Sequence, residues 1–82
     1  GQVIFNTVSI AAGAVQAFVI TNSTITGATT QIMYSMYGAT TGSALSIQSV
    51  VNAAGQSTIT VTNGAGATTT TANIQFNFWV YN

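Results

Sequence analysis

The sequence predicts a single all-β domain over residues 1–82, an antiparallel β-sandwich of jelly-roll-like form with roughly six to eight short strands. Three observations predict it. The periodic segments are built from Val, Ile, Thr, Tyr, Phe and Trp, which fit a pleated, half-buried surface. Clusters of Gly, Asn, Ala and Thr punctuate them at close spacing, and with no proline in the chain the turns rest on Gly and Asn. No segment of helical period with caps occurs.

The first predicted strand is Val3 to Ile10, with Ile4, Val8 and Ile10 on one face and Val3 and Phe5 on the other. The small residues 11–14 connect it to Val15 to Thr21. There Phe18 and Ile20 oppose Val15 and Val19, and two apolar faces predict burial on both sides. Asn22-Ser23-Thr24 is a turn signal, because Asn and Ser bond their own backbone; it also fits the N-glycosylation sequon. Residues 25–30 lead into the strand Gln31 to Tyr37, where Ile32, Tyr34 and Met36 alternate with Met33, Ser35 and Tyr37.

Residues 38–42 predict a hairpin loop. Leu45, Ile47 and Val51 then share one face of the segment 44–51, opposite Ser46 and Gln48. Residues 52–55 turn the chain. Ser57 to Thr62 places Ile59 and Val61 inward and Thr58, Thr60 and Thr62 outward. Asn63-Gly64 is the strongest hairpin dipeptide, since both residues accept positive φ. Thr68 to Thr71 is a loop or the start of the last strand. In that strand Ala72, Ile74, Phe76, Phe78 and Val80 lie on one face, and Asn73, Gln75, Asn77, Trp79 and Tyr81 on the other. A strand so long and apolar is expected at a sheet centre, because an exposed edge of that kind aggregates.

Composition restricts function more than any motif does. Lys, Arg, Asp, Glu, His and Cys are all absent from the 82 residues, against about 25% charged residues in an ordinary soluble domain. No carboxylate or imidazole is available for proton transfer, and no thiolate for attack or metal binding. Serine has no base to activate it, and Gly1 offers an amine without a side-chain nucleophile. Neutral oxygens hold calcium poorly. The chain is therefore read as no enzyme, without metal or cofactor. Nucleic acid is excluded as a partner, because Lys and Arg supply most of that affinity. No apolar run approaches the about 18–20 residues of a membrane span. Gly1 without a basic leader reads as a processed product or an excised domain.

What remains is structural or adhesive work. A small domain without disulfides is marginal alone, and a net charge near zero promotes association. Both point to a homo-oligomer, a trimer or a larger assembly. With only termini and phenols to titrate, stability is expected to be nearly flat in pH and insensitive to salt. The apolar residues Val3, Phe5, Val8, Trp79 and Tyr81 are the candidate oligomer interface. Tyr37, Asn77, Trp79 and Tyr81 are the candidate recognition surface, where aromatic rings would stack on a sugar and amides would bond its hydroxyls; packing within the sandwich is the alternative. Met33, Tyr34, Met36 and Tyr37 form a second aromatic and thioether group, with core the alternative. The threonines 58, 60 and 62 are a short ladder that cross-strand pairing explains better than an ice lattice.

The order of short motifs along the chain resembles a small β-domain of tailed-phage virion proteins, found near the C-terminus of tail-fibre, baseplate or decoration-type proteins. The motifs are Ser9-Ile10-Ala11-Ala12-Gly13, Val19-Ile20-Thr21-Asn22, Ile25-Thr26, Thr30-Gln31, Ser43 to Ile47, Ala54 to Val61 and Ala72 to Val80. The resemblance implies a structural virion or fibre subunit at a virion surface or outside the cell. Its partners would be itself, other virion proteins or a cell-surface glycan. The chain departs from that family in lacking all charge, which favours a packed lattice or shaft over a free tip. The rival reading is an extracellular filament subunit that polymerises by strand addition through Val3 to Ile10. A lectin-like receptor-binding module is the third.

Overall fold

The computed structural model describes every residue except 28, 39–41, 68 and 82, and of Thr70 the backbone only. Its strands are β1 (Gln2–Ile10), β2 (Val15–Thr21), β3 (Gln31–Tyr37), β4 (Leu45–Ala53), β5 (Gln56–Asn63) and β6 (Thr70–Tyr81). They form two three-stranded sheets, β1-β6-β3 and β2-β5-β4, with every pairing antiparallel. The chain is thus an all-β antiparallel sandwich. It changes sheet at every connection but β4 to β5, and β1 with β6 encloses β2 with β5. This nesting is that of a jelly roll with fewer than its usual strands, about eight.

The long alternating β6 occupies the centre of its sheet, as its two-residue period predicts. Ile74 and Phe76 on its inner face are fully buried. The other central strand, β5, buries Ile59 and Val61. Between the sheets Phe5, Phe18 and Phe76 form a triangle, with ring centroids 4.8 Å (Phe5–Phe18), 5.4 Å (Phe18–Phe76) and 5.9 Å (Phe5–Phe76) apart. Such tilted and edge-on contacts add to the area that three large side chains bury. Tyr34 meets Phe76 edge-on from β3. Ile32, Tyr34 and Met36 pack on the core, as the alternation in β3 predicts.

Two strands depart from their predicted faces, and both do so at a bulge. In β1, Phe5 pairs with Ile74 and Val8 with Ala72, so Asn6 and Thr7 together oppose Asn73. The extra residue reverses the parity. Val3, Phe5, Val8 and Ile10 all pack on the core, and Ile4 alone of the apolar residues faces out. Thr7 takes φ +53°, a left-handed conformation that crowds a β-branched side chain. Its N–H donates to Asn73 Oδ1 at 2.9 Å. In β4, Ile47 pairs with Val61 and Ser49 with Thr60, leaving Gln48 as the extra residue. Past it, Val51 sits opposite Thr58 and points outward, not inward with Leu45 and Ile47.

The second apolar face of β2 is open rather than buried, because it lies on the outer side of its sheet: Val15 and Val19 are exposed. The hairpin is at residues 54–55, closed by the Ala53–Gln56 pair, where Gly55 adopts φ +78°. Neither residues 38–42 nor Asn63-Gly64 makes a hairpin, because each connection crosses between sheets; the tip residues 39–41 lie outside the described residues. Gly38 is required for another reason. Its φ is +113°, and a Cβ there would collide with the Asn73 carbonyl oxygen.

Asn63 is instead a buried clamp. Its N–H donates to Ala14 O at 3.0 Å and its carbonyl accepts from Gly13 N at 2.9 Å. Its side chain donates to Ile10 O at 3.0 Å and accepts from Ala44 N at 2.9 Å. One amide thereby ties the end of β1 to the start of β4 across the sandwich. At the opposite end Asn22 Oδ1 accepts from Thr24 N at 2.9 Å, the turn expected from the Asn-Ser-Thr signal. The crossover then buries Ile25, whose carbonyl accepts from Gly55 N at 2.8 Å.

Candidate functional site

The outward residues of the β1-β6-β3 sheet form the most differentiated surface of the molecule. Alternation on β6 sends Asn73, Gln75, Asn77, Trp79 and Tyr81 to this face, and the registers set their neighbours. Trp79 lies beside Met33, and Tyr81 lies beside Gln31. Asn77 is flanked by Gln2 and Ser35, and Gln75 by Ile4 and Tyr37. Exposures of 60% for Met33, 54% for Trp79, 57% for Tyr37 and 53% for Tyr81 leave these large side chains on open surface, not in a second core.

Next to the apolar group runs a neutral hydrogen-bond chain. The Tyr37 hydroxyl donates to Gln75 Oε1, and Gln75 Nε2 donates to Asn77 Oδ1 at 3.0 Å. Rings and amides therefore share one flat face. Such a face can stack against an apolar surface and exchange hydrogen bonds with neutral hydroxyls or amides. None of its side chains can move a proton near neutral pH or pair with an ion.

The structure puts Tyr37, Asn77, Trp79 and Tyr81 on one face but not in one cluster: Tyr37 pairs with Gln75 and Tyr81 with Gln31, at opposite ends of β3. Val3, Phe5 and Val8 it separates from Trp79 and Tyr81: the three turn inward and pack on the core from β1. The group Met33, Tyr34, Met36, Tyr37 divides by parity, Tyr34 and Met36 inward, Met33 and Tyr37 outward. Gln75, which joins Tyr37 to Asn77, and Met33, which flanks Trp79, become members of this face only through the β3–β6 register. Alternation alone assigns a face; it does not align one strand with another.

The second outer face is plainer. Thr58, Thr60 and Thr62 run down its middle between Val19 and Val51, Ala17 and Ser49, and Val15 and Ser46 respectively. Flanking strands leave the threonines half-buried. Between the β1 and β2 edges lies a groove of about 370 Å³ lined by residues 5–9 and 16–19, including the Phe5 and Phe18 rings.

Inside the sandwich, near the 22–30 crossover, the Tyr34 hydroxyl, Asn52 Oδ1 and Ser57 Oγ are buried with no hydrogen-bonding partner among the described residues. Burial pushes the Tyr34 phenol above its usual pKa. Asn52 spends its Nδ2 on Thr30 O at 2.9 Å. No helix among the described residues is long and apolar enough to cross a membrane.

Comparison of the chain with protein-family models, with curated proteins and with solved structures finds no match.

Proposed function

We propose that this chain is a self-assembling structural subunit of a virion or extracellular fibre, which associates with its own copies through uncharged sheet surfaces. The observation that carries the reading is the exterior. It has no charge, yet Ile4, Val15, Val19, Met33, Tyr37, Val51, Trp79 and Tyr81 are all exposed. Scattered apolar residues are ordinary on a monomer. Here they recur on both sheet faces, and no charge among them resists association. Assembly would cover them and add the burial that a small core lacks. The resemblance to phage virion β-domains agrees with this reading and supplies its setting.

The test is the native mass by light scattering, with negative-stain microscopy, from about 0.01 to 1 M salt and from mildly acidic to mildly basic pH. A discrete assembly, unchanged across both ranges, is expected. Long fibres would favour polymerisation by strand addition through β1. A monomer that stays soluble at high concentration would overturn the reading.

A second reading rests on the hydrogen-bond chain from Tyr37 through Gln75 to Asn77 beside Trp79. It is recognition of a neutral glycan, by stacking on Trp79 and by amide contacts. Calorimetric titration with neutral oligosaccharides, repeated on Trp79→Ala, decides it. No response in either protein sinks it.

A further inference from the structure

A β-sandwich of two open sheets has four edges, and an edge strand presents unpaired N–H and C=O groups to any strand that can reach it. Proteins block edges with charge, proline or bulges. The first two devices are missing from this entire sequence. The third is distributed unevenly. β1 is bulged at residues 6–7 and β4 at Gln48. β2 is unbulged, but Gln16 Nε2 donates to the Ala17 carbonyl at 3.2 Å. Only β3 remains: seven residues, unbulged against β6, with no hydrogen bond drawn to its outer side among the described residues.

The sequence of β3 also suits a copy of itself. Antiparallel pairing about Tyr34 sets Ile32 opposite Met36 of the second copy and Tyr34 opposite Tyr34, all on the core side. On the outer side it sets Met33 opposite Ser35 and Gln31 opposite Tyr37. Every apolar inner residue meets another, no charge opposes the contact, and full overlap leaves none of the strand unpaired. The pair would be two-fold symmetric, so using the edge also closes it.

We propose that the β3 edge is the site where a second copy of this chain binds, giving a continuous six-stranded sheet, β1-β6-β3-β3-β6-β1. The inference rests on the self-assembly reading and names its contact. It commits to antiparallel alignment about Tyr34, which brings the Met33, Trp79 and Tyr81 surfaces of two copies onto one face.

A charge-swap pair tests it. Met33 and Ser35 are both exposed on the outer face, so neither variant disturbs the core. M33K/S35K places Lys opposite Lys at two symmetric positions; M33K/S35E places Lys opposite Glu at both. Sedimentation equilibrium should give a dimer dissociation constant at least about tenfold weaker for M33K/S35K. For M33K/S35E it should stay within about threefold of wild type, and the difference between the variants should shrink in high salt. Equal behaviour of the two variants, whether both associate or both dissociate, overturns the β3 contact while leaving self-assembly intact. A monomeric wild type overturns both. Hydrogen exchange on the unmodified protein gives an independent readout. The outward amides of residues 31–37 should gain protection with rising concentration, and concentration-independent exchange there overturns the contact without any variant having to fold.

Discussion

Removing the Asn63 side-chain amide should be among the most damaging small changes available to this protein. In Asn63→Ala two backbone groups lose their partners together, Ile10 O and Ala44 N. Ile10 is buried, so its carbonyl bears most of the desolvation cost, about 1–3 kcal/mol. Ala44 is exposed, so water replaces the lost acceptor and the net loss is about 1 kcal/mol. The sum is about 2–4 kcal/mol. A chain of 82 residues has a total stability of about 4–12 kcal/mol, so about a sixth of it or more is at stake. At about 4–8 °C per kcal/mol, the melting midpoint should fall by roughly 10–30 °C. Urea titration followed by far-UV circular dichroism measures this directly. Asn63→Asp sharpens the test. It keeps an acceptor for Ala44 N but turns a carboxylate toward Ile10 O, which raises the folded-state pKa of the new group above its unfolded value. Stability of that variant should therefore be greatest in acid and be lost as pH rises through the folded pKa, against a flat wild-type profile. A loss below about 0.5 kcal/mol for Asn63→Ala would refute the clamp, because two unpaired backbone groups cannot cost so little where one is buried.

Other perturbations have equally definite outcomes. Thr7→Gly relieves the left-handed strain at φ +53° while keeping the N–H bond to Asn73, and should raise the urea midpoint by about 0.5–1 kcal/mol equivalent after the entropy cost of glycine. Gly38→Ala forces a Cβ toward the Asn73 carbonyl at φ +113° and should cost about 3 kcal/mol or more, read in the same denaturation assay. Phe76→Ala empties the centre of the aromatic cluster and should cost about 3–5 kcal/mol by thermal melting. The Tyr34 phenol has a raised folded pKa, so its contribution is intact below the unfolded value near about 10 and is lost as pH rises through the folded one. Wild type should thus lose stability above about pH 10. Tyr34→Phe should lose less there, and at neutral pH should be neutral or slightly stabilising because the hydroxyl it removes is buried with no partner among the described residues.

Much of this fold is legible in the sequence, and where it is not, the reasons are local. β3, β5 and β6 keep an unbroken two-residue period, so their faces follow directly from the order of residues. β1 and β4 break it with one extra residue, Thr7 or its neighbour Asn6 in the first and Gln48 in the second. Neither site holds the glycine that would advertise a bulge. The apolar Val15 and Val19 imitate a strand covered on both sides, because residue type records a tendency to be buried and not what does the burying. Asn63-Gly64 imitates a hairpin, because the property that lets Asn adopt turn geometry also fits it to clamp two backbone segments from inside. The outer-face group of Tyr37, Asn77, Trp79 and Tyr81 follows from parity and composition. Its links through Gln75 and Met33 do not, since they depend on how two strands distant in sequence align.

The central place of β6 has a consequence for how the chain folds as it is made. Of the strands, it follows all the others in sequence, yet both β1 and β3 pair with it and with no other strand. β1 cannot find its sheet until residues 70–77 have been made, nor β3 until residues 75–81 have. β4 and β5 can close their hairpin early, and β2 can add to it, so a nascent chain would hold one finished sheet with its inner apolar face uncovered. Folding dominated by such distant pairings is slow, and aggregation competes during the wait. An early stop within β6 would do more than shorten a sheet. It would remove the strand that joins the first segment of the chain to the third.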